Sequence, residues 1–271
     1  NWTFAPMVDI ARDARWGRCA EGAGEDTYLA SVFAEAKVRG FQGNDISDRN
    51  HVAACIKHFA AYGAAEGGRD YNTVDMSRAK FLETYFPPYA AGIKAGAATV
   101  MAAFNDLNGA PCTTDKYLLQ TLLRDELGFD GFVISDANGI EECVNHGTAQ
   151  TSEEAAAQAI EAGCDMDLGA NSYINHLERL VSEGRVNEEY IDRAVRNILR
   201  IKLALGLFER PYAVKPDKPS ALSAEHRAAA LRAARESAVL LENRGNALPL
   251  CKTERIAVVG NIAAERDEMH G

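Results

Sequence analysis

The chain has 271 residues, 47% hydrophobic and 25% charged, a composition that excludes a mainly disordered protein and is large enough to bury a core. With 29 Lys+Arg against 39 Asp+Glu the formal charge is −10, so nothing draws it to phosphate backbones or anionic membranes, and neither a nucleic-acid nor a membrane partner is expected. No apolar run approaches the roughly 18 residues of a membrane span.

In chain order, short apolar runs alternate with amphipathic stretches. The runs Trp2–Val8, His51–Phe59, Ala98–Phe104, Gly131–Asp136 and Gly163–Leu168 predict strands, each leading into a polar or Gly-rich stretch. Helices are expected over Asp26–Phe41, Ser77–Ala95, Thr114–Leu127, Ser152–Ala162 and Asn187–Leu205. Pro87-Pro88 should kink or split the second, and Thr114 should cap the third. In the last, Asn187 is a suitable N-cap, and Ile191, Val195, Ile198 and Leu205 form an apolar stripe ended by Gly206. Five strand–helix alternations predict a parallel α/β fold, either an open sheet or a closed barrel. The polar residues gather at run ends (Asp9, Lys57-His58, Asn105-Asp106, Asp136, Asp165 and Asp167), which favours a barrel with its site at the strand C-termini.

After Phe208 the texture changes. Residues 1–209 read as a catalytic α/β domain and 210–222, rich in proline and charge, as a linker. Residues 223–271 read as a helix from Ser223 to about Glu242, with Leu231, Ala238 and Leu241 as its buried stripe, then a strand at Arg255–Asn261 that opens a second α/β domain.

Six cysteines stand singly, with no CxxC pair and no metal-ligand spacing, so neither a metal nor a cofactor is expected. They read as small hydrophobes, which leans toward a reducing, cytoplasmic compartment. Gly131-Phe-Val-Ile-Ser-Asp136 delivers one carboxylate to a strand end, suited to a nucleophile, a base or a metal ligand, or to a plain helix cap. Lys57 and His58 end another strand and offer fixed donors. Arg12, Arg15 and Arg18 follow the first strand at intervals of three. The glycines of Glu21-Gly-Ala-Gly-Glu25 fit no phosphate-loop template.

Six motifs in order resemble glycoside hydrolase family 3. They are Trp2-Thr-Phe-Ala-Pro-Met-Val-Asp9, Arg15-Trp-Gly-Arg-Cys-Ala-Glu-Gly22, Gly24-Glu-Asp26, Lys57-His-Phe-Ala-Ala-Tyr-Gly63, Val100-Met101-Ala-Ala-Phe-Asn-Asp-Leu-Asn-Gly109 and Gly131-Phe-Val-Ile-Ser-Asp136. Glu66-Gly-Gly-Arg-Asp-Tyr-Asn-Thr-Val-Asp-Met-Ser77 and Gly206-Leu-Phe look like the bacterial periplasmic β-glucosidase subgroup. The resemblance implies a (β/α)8 TIM-type barrel and a retaining exo-β-glycosidase, foremost a β-glucosidase, acting on a β-linked oligosaccharide or glycoside. It puts the nucleophile on Asp136 and sugar-binding roles on Arg18, Lys57 and His58, with Met101 and Phe104 lining the same subsite. It also implies a periplasmic or secreted location.

Phe104 stands where the family often has Tyr, and Ala137 where it often has Trp, which leaves fine specificity open. A β-xylosidase or α-L-arabinofuranosidase is the alternative. The resemblance places the acid/base glutamate beyond Gly271 and a further sugar-binding aspartate before Asn1. Glu66, Asp70, Asp165 and Asp167 are stand-ins without a motif behind them. Five units are about three short of a barrel, so a partial barrel is expected, its missing segments supplied by another chain or an oligomer. A non-catalytic sugar-binding remnant is the reading from another class.

Overall fold

The computed structural model describes residues 1–212 and 223–265. It divides into two compact units, Asn1–Ala213 and Val214–Gly271.

In the first unit, helix α1 (Thr27–Gln42) begins where the Asp26 carboxylate accepts from the Leu29 N–H and ends at Gly43, whose φ of 57° a side chain would resist. Ala30, Ala34, Val38 and Gln42, four apart, form its buried face. Gln42 ends that face with a polar side chain. Its Oε1 accepts from the Ala54 and Ala98 N–H groups, at 3.0 and 2.9 Å, fixing the entries of two strands at once. These strands are β1 (Cys55–Phe59) and β2 (Thr99–Ala102). Between them run α2 (Arg78–Lys80), a wide helical turn at Phe81–Tyr85, and α3 (Pro87–Lys94). The prolines split the expected helix because Pro87, lacking an N–H, fits a first-turn position.

Strands β3 (Asp106–Leu107) and β4 (Ala110–Pro111) make a small antiparallel hairpin. A helical segment at Tyr117–Glu126 follows, then β5 (Phe132–Ala137), α4 (Glu142–Asn145), α5 (Ser152–Ala162) and β6 (Met166–Leu168). The first of these is capped by Asp115, whose Oδ1 accepts from the Tyr117 and Leu118 N–H groups, and not by Thr114 as expected. The unit closes with α6 (Ser172–Ser182), which is not among the expected helices, and α7 (Glu188–Ala204), capped by Asn187 as expected. In α7 Val195 is exposed, while Ala194, Asn197 and Ile201 are buried. The polar Asn197 is admitted because its amide donates to Asp165.

The four main strands are parallel in the order β1-β2-β5-β6. The predicted strand Trp2–Val8 is reduced to parallel bridges, Trp2 to Ala53 and Met7 to Lys57, which place it beside β1. Side chains alternate across this sheet. Ile56, Val100 and Val133 join Val38, Ile93 and Leu122 under the helices. Cys55, Met101, Phe132 and Ile134 point to the other face, where Ile201 of α7 joins them. This is the strand–helix order of a TIM-like barrel. The cysteines are all free; Cys55, Cys112, Cys143 and Cys164 are buried as small hydrophobes.

In the second unit the Ser223 hydroxyl accepts from the His226 N–H to start α8 (Ala224–Glu236). The helix ends short of Glu242, and Leu231 and Leu241 are exposed, so the expected buried stripe is not formed among the described residues. Residues 255–260 find no ladder partner there, and Ile256, Val258 and Val259 are exposed; a strand exists only with a neighbour to bond. Most of the expected linker, residues 213–222, lies outside the described residues.

Candidate active site

Asp136 stands at the C-terminal end of β5, on the face that carries Phe132 and Ile134. Its Oδ1 accepts from the Ala137 N–H at 2.7 Å; its Oδ2 is buried and has no hydrogen-bond partner. Burial pushes the carboxyl above its ordinary 3.8, against the pull of His58, the Ala137 N–H, Arg18 and Lys57. Three cationic or cation-forming side chains therefore converge on one carboxylate.

His58 is nearest, with Nε2 3.4 Å from Asp136 Oδ2. Its other ring nitrogen, Nδ1, lies 2.8 Å from Asp9 Oδ2. Arg18 comes from the loop after the first extended segment, and its Nη2 lies 3.1 Å from His58 Nε2. A fork to Glu21 holds the guanidinium, at 2.6 Å from Nε and 3.0 Å from Nη2. The bonded Arg18 keeps the Glu21 carboxyl below its ordinary range, and Glu21 in turn raises the guanidinium further. Lys57, half-buried, contributes its charge to both Asp136 and Glu21.

Aromatic rings wall this group. Tyr62 stands edge-on to His58 at 5.1 Å and to Trp16 at 5.4 Å, and Arg18 lies over its ring at 5.5 Å. Phe104 packs 4.7 Å from Tyr71 and 5.8 Å from Tyr62, so it joins the wall through Tyr62. Met101 is buried within the packed inner cluster, paired in register with Ile134 two residues before Asp136. The structure thus brings Asp136, His58, Arg18 and Lys57 together, with Phe104 flanking and Met101 beneath.

Of the stand-in carboxylates, Asp165 and Asp70 are engaged elsewhere, while Asp167 keeps a buried Oδ1 without a partner. Asp165 accepts from Arg124 Nη2 at 2.7 Å, the Val133 N–H at 2.8 Å and Asn197 at 3.0 Å. Asp70 accepts from the Trp16 indole at 2.8 Å, Asp167 takes the Tyr173 N–H, and Glu66 is exposed. Arg15 pairs with Asp13 at the surface and takes no part. Two clefts lie apart from this group: one of about 330 Å³ is lined by Arg78, Phe81 and Tyr117, the other of about 270 Å³ by Arg15, Glu66 and Arg69. No cluster of His, Cys, Asp and Glu fit for a metal occurs among the described residues.

Two participants carry too little signal to be found from sequence. Asp9 is visible as a polar strand end, but its bond to His58 depends on the first segment lying beside β1. Tyr89, whose hydroxyl reaches Asp9, follows the proline pair and has no local mark of its role.

Residues 1–201 match the description of the Glycosyl hydrolase family 3 N terminal domain. A periplasmic beta-glucosidase of Salmonella typhimurium is 48% identical over 99% of this chain and 36% of its own length. A beta-xylosidase of Formosa agariphila is 38% identical over 99% of this chain and 39% of its own. The crystal structure of a beta-glucosidase from Listeria innocua in complex with glucose superposes with a TM-score of 0.89 at 47% identity, covering 92% of this chain and 35% of that one. The chain therefore spans a little over a third of the length of these relatives. With the parallel sheet, the strand-end carboxylate and the family match over most of its length, the chain belongs to glycosyl hydrolase family 3.

Proposed function

We propose that the protein is a retaining exo-β-glucosidase with Asp136 as its nucleophile. The observation that carries this is the buried, unbonded Asp136 Oδ2 among Arg18, Lys57 and His58. An oxygen with no hydrogen bond keeps its electron density for attack. It adds to the anomeric carbon as the glycosidic C–O bond breaks, and the departing oxygen takes a proton from an acid; water, giving a proton back to that same group, then attacks the anomeric carbon and releases the Asp136 carboxylate. Arg18, Lys57 and His58 hold the glycone's hydroxyls, and bonds that tighten in the transition state lower the barrier.

A retaining enzyme needs its second carboxyl about 5–5.5 Å from the first. Asp165 and Asp70 are committed to Arg124 and Trp16, which leaves them poorly suited to that role. The periplasmic relative supports a location outside the cytoplasm.

The test is trapping of the full polypeptide with a 2-deoxy-2-fluoro glucoside, followed by peptide mapping. The label should sit on Asp136; a label on any other residue refutes the assignment. The xylosidase relatives support a second glycone, xylose, and a panel of nitrophenyl glycosides separates the two by relative kcat/KM.

A further inference from the structure

We propose that Asp9 and Tyr89 are positioning residues that set the tautomer and orientation of His58, an inference that rests on the reading of Asp136 as nucleophile. Asp9 is 1% exposed, and burying a carboxylate costs heavily unless its lone pairs are used. Here one oxygen serves a single residue twice. Asp9 Oδ2 accepts from the His58 backbone N–H at 3.0 Å and lies 2.8 Å from Nδ1 of the same histidine. Asp9 Oδ1 lies 2.5 Å from the Tyr89 hydroxyl, which also reaches the His58 carbonyl oxygen at 2.7 Å and accepts from the Ala61 N–H at 3.2 Å. His58 is thus held at its N–H and its ring by Asp9, while Tyr89, with one hydroxyl hydrogen shared between Asp9 Oδ1 and the His58 carbonyl, braces the pair.

The grip has a chemical consequence. A carboxylate beside Nδ1 calls for an N–H there, which in the neutral ring leaves Nε2 with a lone pair. On the opposite side Arg18 Nη2, a donor only, faces Nε2 at 3.1 Å and calls for that same lone pair. Two independent neighbours select one tautomer. The choice matters 3.4 Å away, because an Nε2–H would bond Asp136 Oδ2 and blunt the oxygen that attacks. Asp9 therefore keeps the nucleophile unbonded through the ring it holds.

The experiment compares wild type, Asp9→Ala, Asp9→Asn and Tyr89→Phe in the full polypeptide. Competent sites are counted by stoichiometric 2-fluoro glucoside labelling, so a misfolded fraction drops out. Asp9→Ala should lower kcat/KM per labelled site on the order of 10²-fold. Asp9→Asn, its amide oxygen toward His58 and its NH2 toward Tyr89, should stay within about tenfold of wild type. Tyr89→Phe keeps the ring packed 5.3 Å from Phe59 and should fall between the two. In parallel, 15N NMR of histidine-labelled protein should show His58 protonated on Nδ1 in wild type and Asp9→Asn, and a shift toward Nε2 in Asp9→Ala. Equal kcat/KM per site in wild type and Asp9→Ala, or a wild-type His58 protonated on Nε2, overturns the inference. If wild type takes no label at Asp136, the reading of the reaction fails instead, and the 15N pattern alone decides the role of Asp9.

Discussion

Replacing Asp136 by Asn should abolish turnover and make the protein more stable. The carboxylate has one oxygen bonded to the Ala137 N–H and one buried without a partner. An unsatisfied buried polar group costs about 1–3 kcal/mol, and more when charged. The nearby charges of Arg18 and Lys57 offset part of that, so the low end applies. Asn keeps the Ala137 bond and turns an N–H toward His58 Nε2, 3.4 Å away in the parent. The expected gain is about 1 kcal/mol, or roughly 3 °C in Tm for a unit of about 200 residues. The pH dependence follows from the direction of the shift. Burial raises the folded carboxyl above 3.8, so the folded state holds its proton more tightly than the unfolded chain. The contribution of Asp136 is fully present below that value and is lost as pH rises through the folded one. The advantage of Asn should therefore be present at pH 7 and vanish below the ordinary carboxylate pKa. Differential scanning fluorimetry across pH, with glucoside hydrolysis alongside, reads both effects; kcat should fall on the order of 10³-fold or more. An Asn variant that melts at or below the parent at pH 7, or gains most at low pH, refutes the reasoning.

Arg124→Leu should cost about 3–5 kcal/mol in urea unfolding, because it strands the buried Asp165 carboxylate, already raised by desolvation, without its 2.7 Å partner. An unchanged midpoint would show the pair to be dispensable. Gly131→Ala puts a methyl 2.0 Å from the Ala98 carbonyl oxygen and 2.7 Å from the Phe129 ring, so β2 and β5 must part. A loss of about 1–3 kcal/mol is expected, and a variant as stable as wild type would mean that the two strands move apart freely.

Sequence pattern captured what is local. Apolar runs located β1, β2, β5 and β6, the expected helices match α1, α5 and α7 to within a residue or two, and Asn187 caps α7 as its side chain suggested. Helix α6 was legible in principle, since Tyr173, Leu177, Leu180 and Val181 recur at helical spacing and pack with Ile160; what it lacks is a start signal, because Asn171 makes no side-chain cap. The stripe of α8 was legible as a pattern, yet burial depends on what a helix meets, and Leu231 and Leu241 meet nothing among the described residues. In the site, Asp136, Lys57 and His58 follow from the rule that function gathers at strand ends. The link from Asp9 to His58 spans 49 positions and exists only because the first segment lies beside β1, a matter of sheet order that no local signal encodes.

The same dependence explains why Asp165, a catalytic alternative on sequence grounds, serves the site indirectly. Its backbone N–H donates to the Val133 carbonyl at 2.8 Å while its carboxylate accepts from the Val133 N–H at the same distance. Val133 is thereby fixed on both polar groups, and Arg124 and Asn197 hold the clamp from outside the sheet. In a strand the side-chain period is two, so fixing Val133 under the helices fixes Ile134 and Asp136 on the opposite face. A slip of one residue would turn Asp136 into the helices and present Ser135 to His58. The buried ion pair thus helps set the direction in which the Asp136 carboxylate, two strands from His58, must point.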